Sequence, residues 1–206
     1  MVPRALQRLA NATGMLETDL KPGNAAELAE SVLGRRLDAA IVSLPMRTAG
    51  LCLMPLSEER AVAALPSGHR QALASAIRLD QMMPERIIVL PREADRAFYD
   101  AIIAACRHAG LAPTLIEMPD GNLERALLAV ASGAGMALVP GSVTERYLTQ
   151  GVRFVALAEP QPSVPVAVVT RRDTTHLPTT AFMRALAQAE QAARAHAMRA
   201  SAVPAA

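Results

Sequence analysis

The residue types that most often carry chemistry are few in this chain and stand far apart. His69, His108, His176 and His196 share no metal-ligand spacing with one another or with Cys52 and Cys106. His108 and His196 fall near the C-terminal ends of helical segments, where a solvated imidazole is favourable. Gly133-x-Gly135 looks like a fragment of a dinucleotide fingerprint, but its context is reversed. It follows a helical segment and precedes a strand-like one, whereas pyrophosphate binding needs strand, glycines, then helix. A helix stop with a tight turn accounts for it better. The chain holds no Gly-x-Ser-x-Gly elbow and no phosphate-binding loop. The pair Glu58-Glu59 reads as a solvated turn in a polar loop. No catalytic residue, metal ligand or cofactor is therefore expected.

A set of loops is more suggestive. Pro22-Gly23-Asn24, Ser43-Leu44-Pro45, Pro91-Arg92-Glu93, Asp120-Gly121-Asn122 and Val139-Pro140-Gly141-Ser142 each follow a strand-like run or open a helix. Helix starts offer unpaired backbone N–H groups and a partial positive charge, suited to an anion or carboxylate. Caps and turns are the plain alternative at each one. Arg92 and Arg47 could add charge for a carboxylate, while Glu93 opposes an anion and leaves a zwitterionic or polar ligand open.

The elements that must position these loops alternate. Ala25, Leu28, Ala29 and Val32 form a helical stripe, with Asn24 and Glu27 spaced as a capping box. Further helices are expected over 3–11, 93–109, 122–132 and 178–198. Gly34, Gly110 and Gly133 serve as stops. Between them lie Ala39-Ala40-Ile41-Val42, Ile87-Ile88-Val89-Leu90, Thr114-Leu115-Ile116 and Met136-Ala137-Leu138-Val139, apolar on both faces and so read as central parallel strands. The rhythm breaks at 50–65 and again at 152–170, where two strand-like runs follow one another without a helix. Paired interruptions in a βαβ chain suggest two lobes, with the chain crossing out and back.

Composition sets the class. The chain has 206 residues, 51% hydrophobic and 19% charged, enough apolar material for a packed core. No apolar run reaches the roughly 18 residues of a membrane-spanning helix. The start, Met1-Val2-Pro3-Arg4, does not read as a signal peptide, and a cytoplasmic protein with two buried thiols is expected. Lys21 is the only lysine, and the scattered arginines are nearly balanced by carboxylates, so charge marks no nucleic-acid patch.

Read in order, the chain gives Lys21-Pro22-Gly23-Asn24-x-x-Glu27-Leu28, then Gly34-x-x-Leu37-Asp38-Ala39-Ala40-Ile41, Gly50-Leu51, Pro55-Leu56-x-x-Glu59 and Leu65-Pro66-x-x-His69. It continues Ala109-Gly110-Leu111-x-Pro113 and Val130-Ala131-x-Gly133-x-Gly135-Met136-Ala137-Leu138-Val139-Pro140. This series resembles the effector-binding domain of LysR-type transcriptional regulators across nearly the whole chain. The resemblance implies an α/β fold of two Rossmann-like lobes joined by two crossing strands, as in type 2 periplasmic binding proteins. Lobe one would comprise 1–57 plus 163–206, and lobe two 58–162.

It further implies a small-molecule effector, a carboxylate or other small polar metabolite, held in the cleft between lobes. The expected site residues are Asn24, Ser43, Pro45, Pro91, Arg92, Glu93, Val139, Pro140 and Gly141. A homodimer or tetramer is implied, with residues 122–132 packed on the opening helix of a second copy near Leu6 and Leu9. DNA contact would come only through an N-terminal helix-turn-helix that this sequence lacks, and no membrane is involved. The family domain also opens with a strand missing here, so either the segments near 15–20 and 39–42 stand apart, with solvent or another chain between them, or the lobe is poorly ordered. A transport solute-binding protein, or an enzyme on the same scaffold, are the alternatives.

Overall fold

Asn24 starts the first well-capped helix. Its side-chain oxygen accepts from Glu27 N at 3.0 Å, and Glu27 Oε2 accepts in return from Asn24 N at 3.3 Å. Two of the unpaired donors of helix α2 (Ala25–Leu33) are thereby satisfied, and Ala29 and Val32 are turned inward. The computed structural model describes residues 2–13, 18–82, 85–147 and 150–201.

The other helices are α1 (Val2–Thr13), α3 (Arg96–His108), α4 (Leu123–Ala131) and α5 (Leu177–Ser201). The strands are β1 (Ala39–Ser43), β2 (Leu51–Pro66), β3 (Ala76–Ile77), β4 (Arg86–Val89), β5 (Thr114–Glu117), β6 (Met136–Pro140), β7 (Val152–Leu157) and β8 (Ser163–Arg171). The chain divides into two units. One holds residues 1–42, 47–57 and 166–206; the other holds 43–46 and 58–165. Both β2 and β8 run from one unit into the other.

In the first unit β8 lies between β1 and β2. Its core joins Leu56 of β2 and Val168 of β8 to Ala5 of α1 and to Ala185 and Leu186 of α5, with Ala39 and Ile41 of β1 packed against them. Ala40 and Val42, on the opposite face of β1 by alternation, are also buried. Arg171 Nη1 donates to the carbonyls of Val32 and Leu37 at 3.0 and 3.4 Å, tying β8 to the end of α2 and the turn after it.

In the second unit the order is β2-β6-β4-β5, with β7 on β2 and β3 on β7. Strand β4 runs parallel to β5 and β6, while β2 runs antiparallel to β6 and β7. Helix α3 covers one face through Phe98, Ile102 and Cys106, and α4 serves the other core cluster through Ala126, Leu127 and Val130.

The mixed α/β architecture expected from the alternation is present, and four readings change. Residues 50–65 are not two successive strands but one continuous strand. The β-branched and apolar residues of 61–65 extend the pairing past the charged stretch Glu58-Glu59-Arg60. That stretch is accordingly strand, not a solvated turn. Strands β1 and β5, read as central, end the sheet order among the described residues, because apolar periodicity reports buried faces and not paired edges. Cys52 is exposed, and only Cys106 is a buried thiol.

Candidate functional site

Parallel strands of open α/β sheets place ligands beyond their carboxyl ends. In the second unit the adjacent parallel strands β4 and β6 leave the sheet at Leu90-Pro91 and Pro140-Gly141. Helix α3 starts five residues after Pro91, and its N-cap is Asp95. Asp95 Oδ1 accepts from Phe98 N at 3.1 Å, and Oδ2 accepts from the Ser43 hydroxyl at 2.8 Å. One carboxylate therefore fixes both the start of α3 and the end of β1. Ser43, assigned to the first lobe from sequence, groups with the second unit. A cavity of about 30 Å³ lies there, lined by Leu90, Pro91, Asp95, Phe98, Leu138 and Pro140. That is room for about one water-sized group. Tyr99, also on its wall, donates its hydroxyl to Glu117 Oε1 at 2.7 Å, which holds the phenol above its ordinary range.

The remaining expected residues fall around this point in different states. Arg92 makes a bidentate pair with Asp100, at 2.7 and 2.8 Å, and that hydrogen-bonded guanidinium keeps the Asp100 carboxyl below the usual range. Arg96 adds a contact to the same carboxylate at 3.6 Å. Glu93 and Pro45 are exposed. Val139 is a core residue, 2% exposed and paired in register with Val62. Gly141 is packed closely enough that a Cβ would stand 3.0 Å from the Arg60 carbonyl oxygen. The amide after it, Ser142 N, donates to Glu59 Oε1 at 2.9 Å. Asn24 belongs to the first unit and caps α2.

The structure thus brings Ser43, Pro91 and Pro140 into one neighbourhood and adds two residues that sequence reasoning missed. Asp95 was hidden because the helix was expected to start at 93; its spacing to Phe98 is an ordinary cap signal. Glu59 was hidden by the loop reading of its segment.

A larger groove, about 590 Å³, lies in the first unit, lined by Leu6, Leu20, Leu28, Ala39, Ile41 and Phe182 among others. It runs along β1, which is buried on one face and half-buried on the other, yet among the described residues is paired on one side only. A strand with two buried faces normally has two neighbours. Among the described residues the groove thus follows an open strand edge, not the carboxyl ends of the parallel strands. Residues 18–20 and 39–41 both line it, and residues 15–17, part of the segment expected to stand apart from β1, lie outside the described residues.

Comparison with known proteins agrees with this architecture. The family model for the LysR substrate binding domain matches residues 1–191. A probable hydrogen peroxide-inducible genes activator of Mycobacterium avium is 29% identical over 136 residues, which is 66% of this chain and 43% of that protein. The HTH-type transcriptional regulator CatR of Pseudomonas putida is 26% identical over 157 residues, 76% of this chain and 53% of its own length. This chain thus spans about half the length of these relatives. Among solved structures, the BenM effector binding domain with its effector benzoate superposes with a TM-score of 0.81 at 21% identity, covering 98% of this chain and 89% of that one. The effector binding domain of QuiR in complex with shikimate gives 0.78 at 14% identity, covering 93% and 91%. At such identities these likenesses establish the fold.

Proposed function

The chain belongs to the LysR substrate-binding-domain family, and from that premise we propose that it senses a small-molecule effector for a cytoplasmic transcriptional regulator. The whole regulator would reach DNA through a helix-turn-helix outside these residues. The observation that carries the reading is the convergence of Ser43, Asp95, Pro91 and Pro140 at the carboxyl ends of β4 and β6. Pro45, Arg92, Glu93, Val139 and Gly141 surround that point in sequence; Asn24, expected from sequence to join them, is the cap of α2 in the first unit. The role is recognition, not catalysis, and no residue is assigned a catalytic task. A thermal-shift screen of small aromatic acids, amines and polyols is expected to yield a ligand that raises the melting temperature. Ser43→Ala should then weaken that ligand at least tenfold, the equivalent of about 1.4 kcal/mol. Unchanged affinity in the variant would reject the site.

Assembly as a homodimer is part of the proposal. Ala126, Leu127 and Val130 of α4 are buried in their own unit, but Leu128 on its other side is 63% exposed. The amphipathic stripe is thus wider than its own core uses. Leu6 on α1 is half-buried, and the Leu9 side chain lies outside the described residues. Light scattering should show a dimer that Leu128→Glu converts to monomer; a parent that stays monomeric at high concentration would reject it.

Because one relative is a probable peroxide-inducible activator, the thiols bear on the choice of signal. Burial pushes the Cys106 thiol up from its ordinary pKa, away from the thiolate that reacts with oxidants. Cys52 is exposed on β2. A thiol reagent should therefore titrate one cysteine in the native protein and two after denaturation. Two fast-reacting native thiols would favour redox sensing over effector binding.

A further inference from the structure

At the proposed effector site, we infer that this chain selects ligands presenting hydrogen-bond donors, an ammonium, amidinium or hydroxyl group, over ligands presenting a carboxylate. The inference rests on that site and concerns what its polar atoms have left to offer. Helix α3 would be the natural anion seat, since the first turn of a helix carries unpaired N–H groups. Here Asp95 already accepts from Phe98 N at 3.1 Å. The turn at Gly141–Glu145 is occupied in the same way, with Ser142 N donating to Glu59 Oε1 at 2.9 Å. Each start carries a carboxylate supplied by the chain itself.

Ser43 is constrained in the same sense. A serine hydroxyl has one proton to donate and two lone pairs that accept. That proton is spent on Asp95 Oδ2 at 2.8 Å, so toward a ligand Ser43 acts as an acceptor. Asp95 keeps further lone pairs beyond the two hydrogen bonds it accepts. The guanidinium groups nearby do not reverse the balance. Arg92 spends Nε and Nη2 on Asp100, Arg96 reaches the same carboxylate, and Arg146 Nη2 donates to Ser142 Oγ at 3.2 Å. Exposed Glu93 adds another negative charge in the Pro91 loop. A carboxylate ligand at this point would meet Asp95 and Glu59 as like charges and find their N–H partners taken. A donor group meets acceptors.

Benzoate, benzamidine and benzyl alcohol form a test set that shares a ring and differs in the polar head. Thermal shift and calorimetry on the 206-residue chain should show benzamidine binding at least tenfold more tightly than benzoate, with benzyl alcohol between them. Asp95→Asn keeps a good helix cap, so circular dichroism should be unchanged while benzamidine weakens at least tenfold. Equal or tighter binding of benzoate by the parent would overturn the ligand class. If Ser43→Ala then altered benzoate affinity, the site itself would still stand. Benzamidine binding indifferent to both Asp95→Asn and Ser43→Ala would instead overturn the site. Failure of benzamidine to bind at millimolar concentration would overturn the inference.

Discussion

Gly135→Ala is expected to destabilise the second unit by about 3 kcal/mol, the upper part of the range for overpacking a well-filled site. A Cβ at this position would stand 2.5 Å from the carbonyl oxygen of Arg86 and 3.2 Å from its Cβ. Arg86 begins β4, and the next pairs in register are Ile87 with Met136 and Ile88 with Ala137. The glycine therefore lies where the chain enters β6 against the start of its neighbour, and the obstacle is backbone that cannot swing away. Relief would require β4 and β6 to part at the root of the strands whose far ends carry Pro91 and Pro140. In a protein of this size 3 kcal/mol lowers the melting temperature by roughly 6–12 °C. Gly133→Ala is the control. Its φ is +82°, but a Cβ there meets nothing within 4 Å, so only the left-handed backbone is penalised, by about 1 kcal/mol. Urea melts that ranked the two variants in the opposite order would show that the close approach does not govern this turn.

That pair also shows what kind of information the sequence carried. Gly133 was legible as a helix stop because its requirement is local, a positive φ after the last turn of α4. Gly135 was legible only as a member of the same turn, since its partner lies 49 residues away on another strand. The helices were read well for the same reason. Asn24 with Glu27, and Gly110 after α3, act within a few residues of themselves. The resemblance to LysR effector domains rested on many such local signals in order.

What remained hidden was long-range pairing. Glu59 reaches Ser142 and Ser43 reaches Asp95 across 83 and 52 residues, and neither partner is marked by spacing. One takes a backbone donor of the Pro140 loop, and the other takes the Ser43 hydroxyl proton, so each motif has less to offer an anion than it does alone. Arg92, expected to add charge for a carboxylate ligand, turns its fork to Asp100. Edges of the sheet were hidden too. Both faces of β1 are apolar because helices or their neighbours cover them, and nothing in Ala39-Ala40-Ile41-Val42 states how many strands lie beside it.

Hydrogen exchange should expose that edge. Among the described residues β1 pairs with β8 alone, so alternate backbone groups along it are expected to face the groove lined by Leu20, Leu28 and Phe182. In β4, Ile87 and Ile88 stand in register with β5 on one side and β6 on the other. Their amides should open only when the second unit unfolds, whereas groove-facing amides of β1 need no unfolding to meet water. A difference of about 4 kcal/mol in opening free energy would appear as protection factors on the order of 10³ apart. The β1 amides directed at β8 supply an internal control, since they share the same faces and the same helices. They should exchange slowly while their neighbours one residue away exchange fast. The apolar cover would not prevent this, because exchange requires a missing acceptor and access for solvent, and the groove provides both. Uniform protection along β1, equal to that of Ile87 and Ile88, would mean that another segment already pairs with this edge in solution. The reading of the groove as following an open strand edge would then fail.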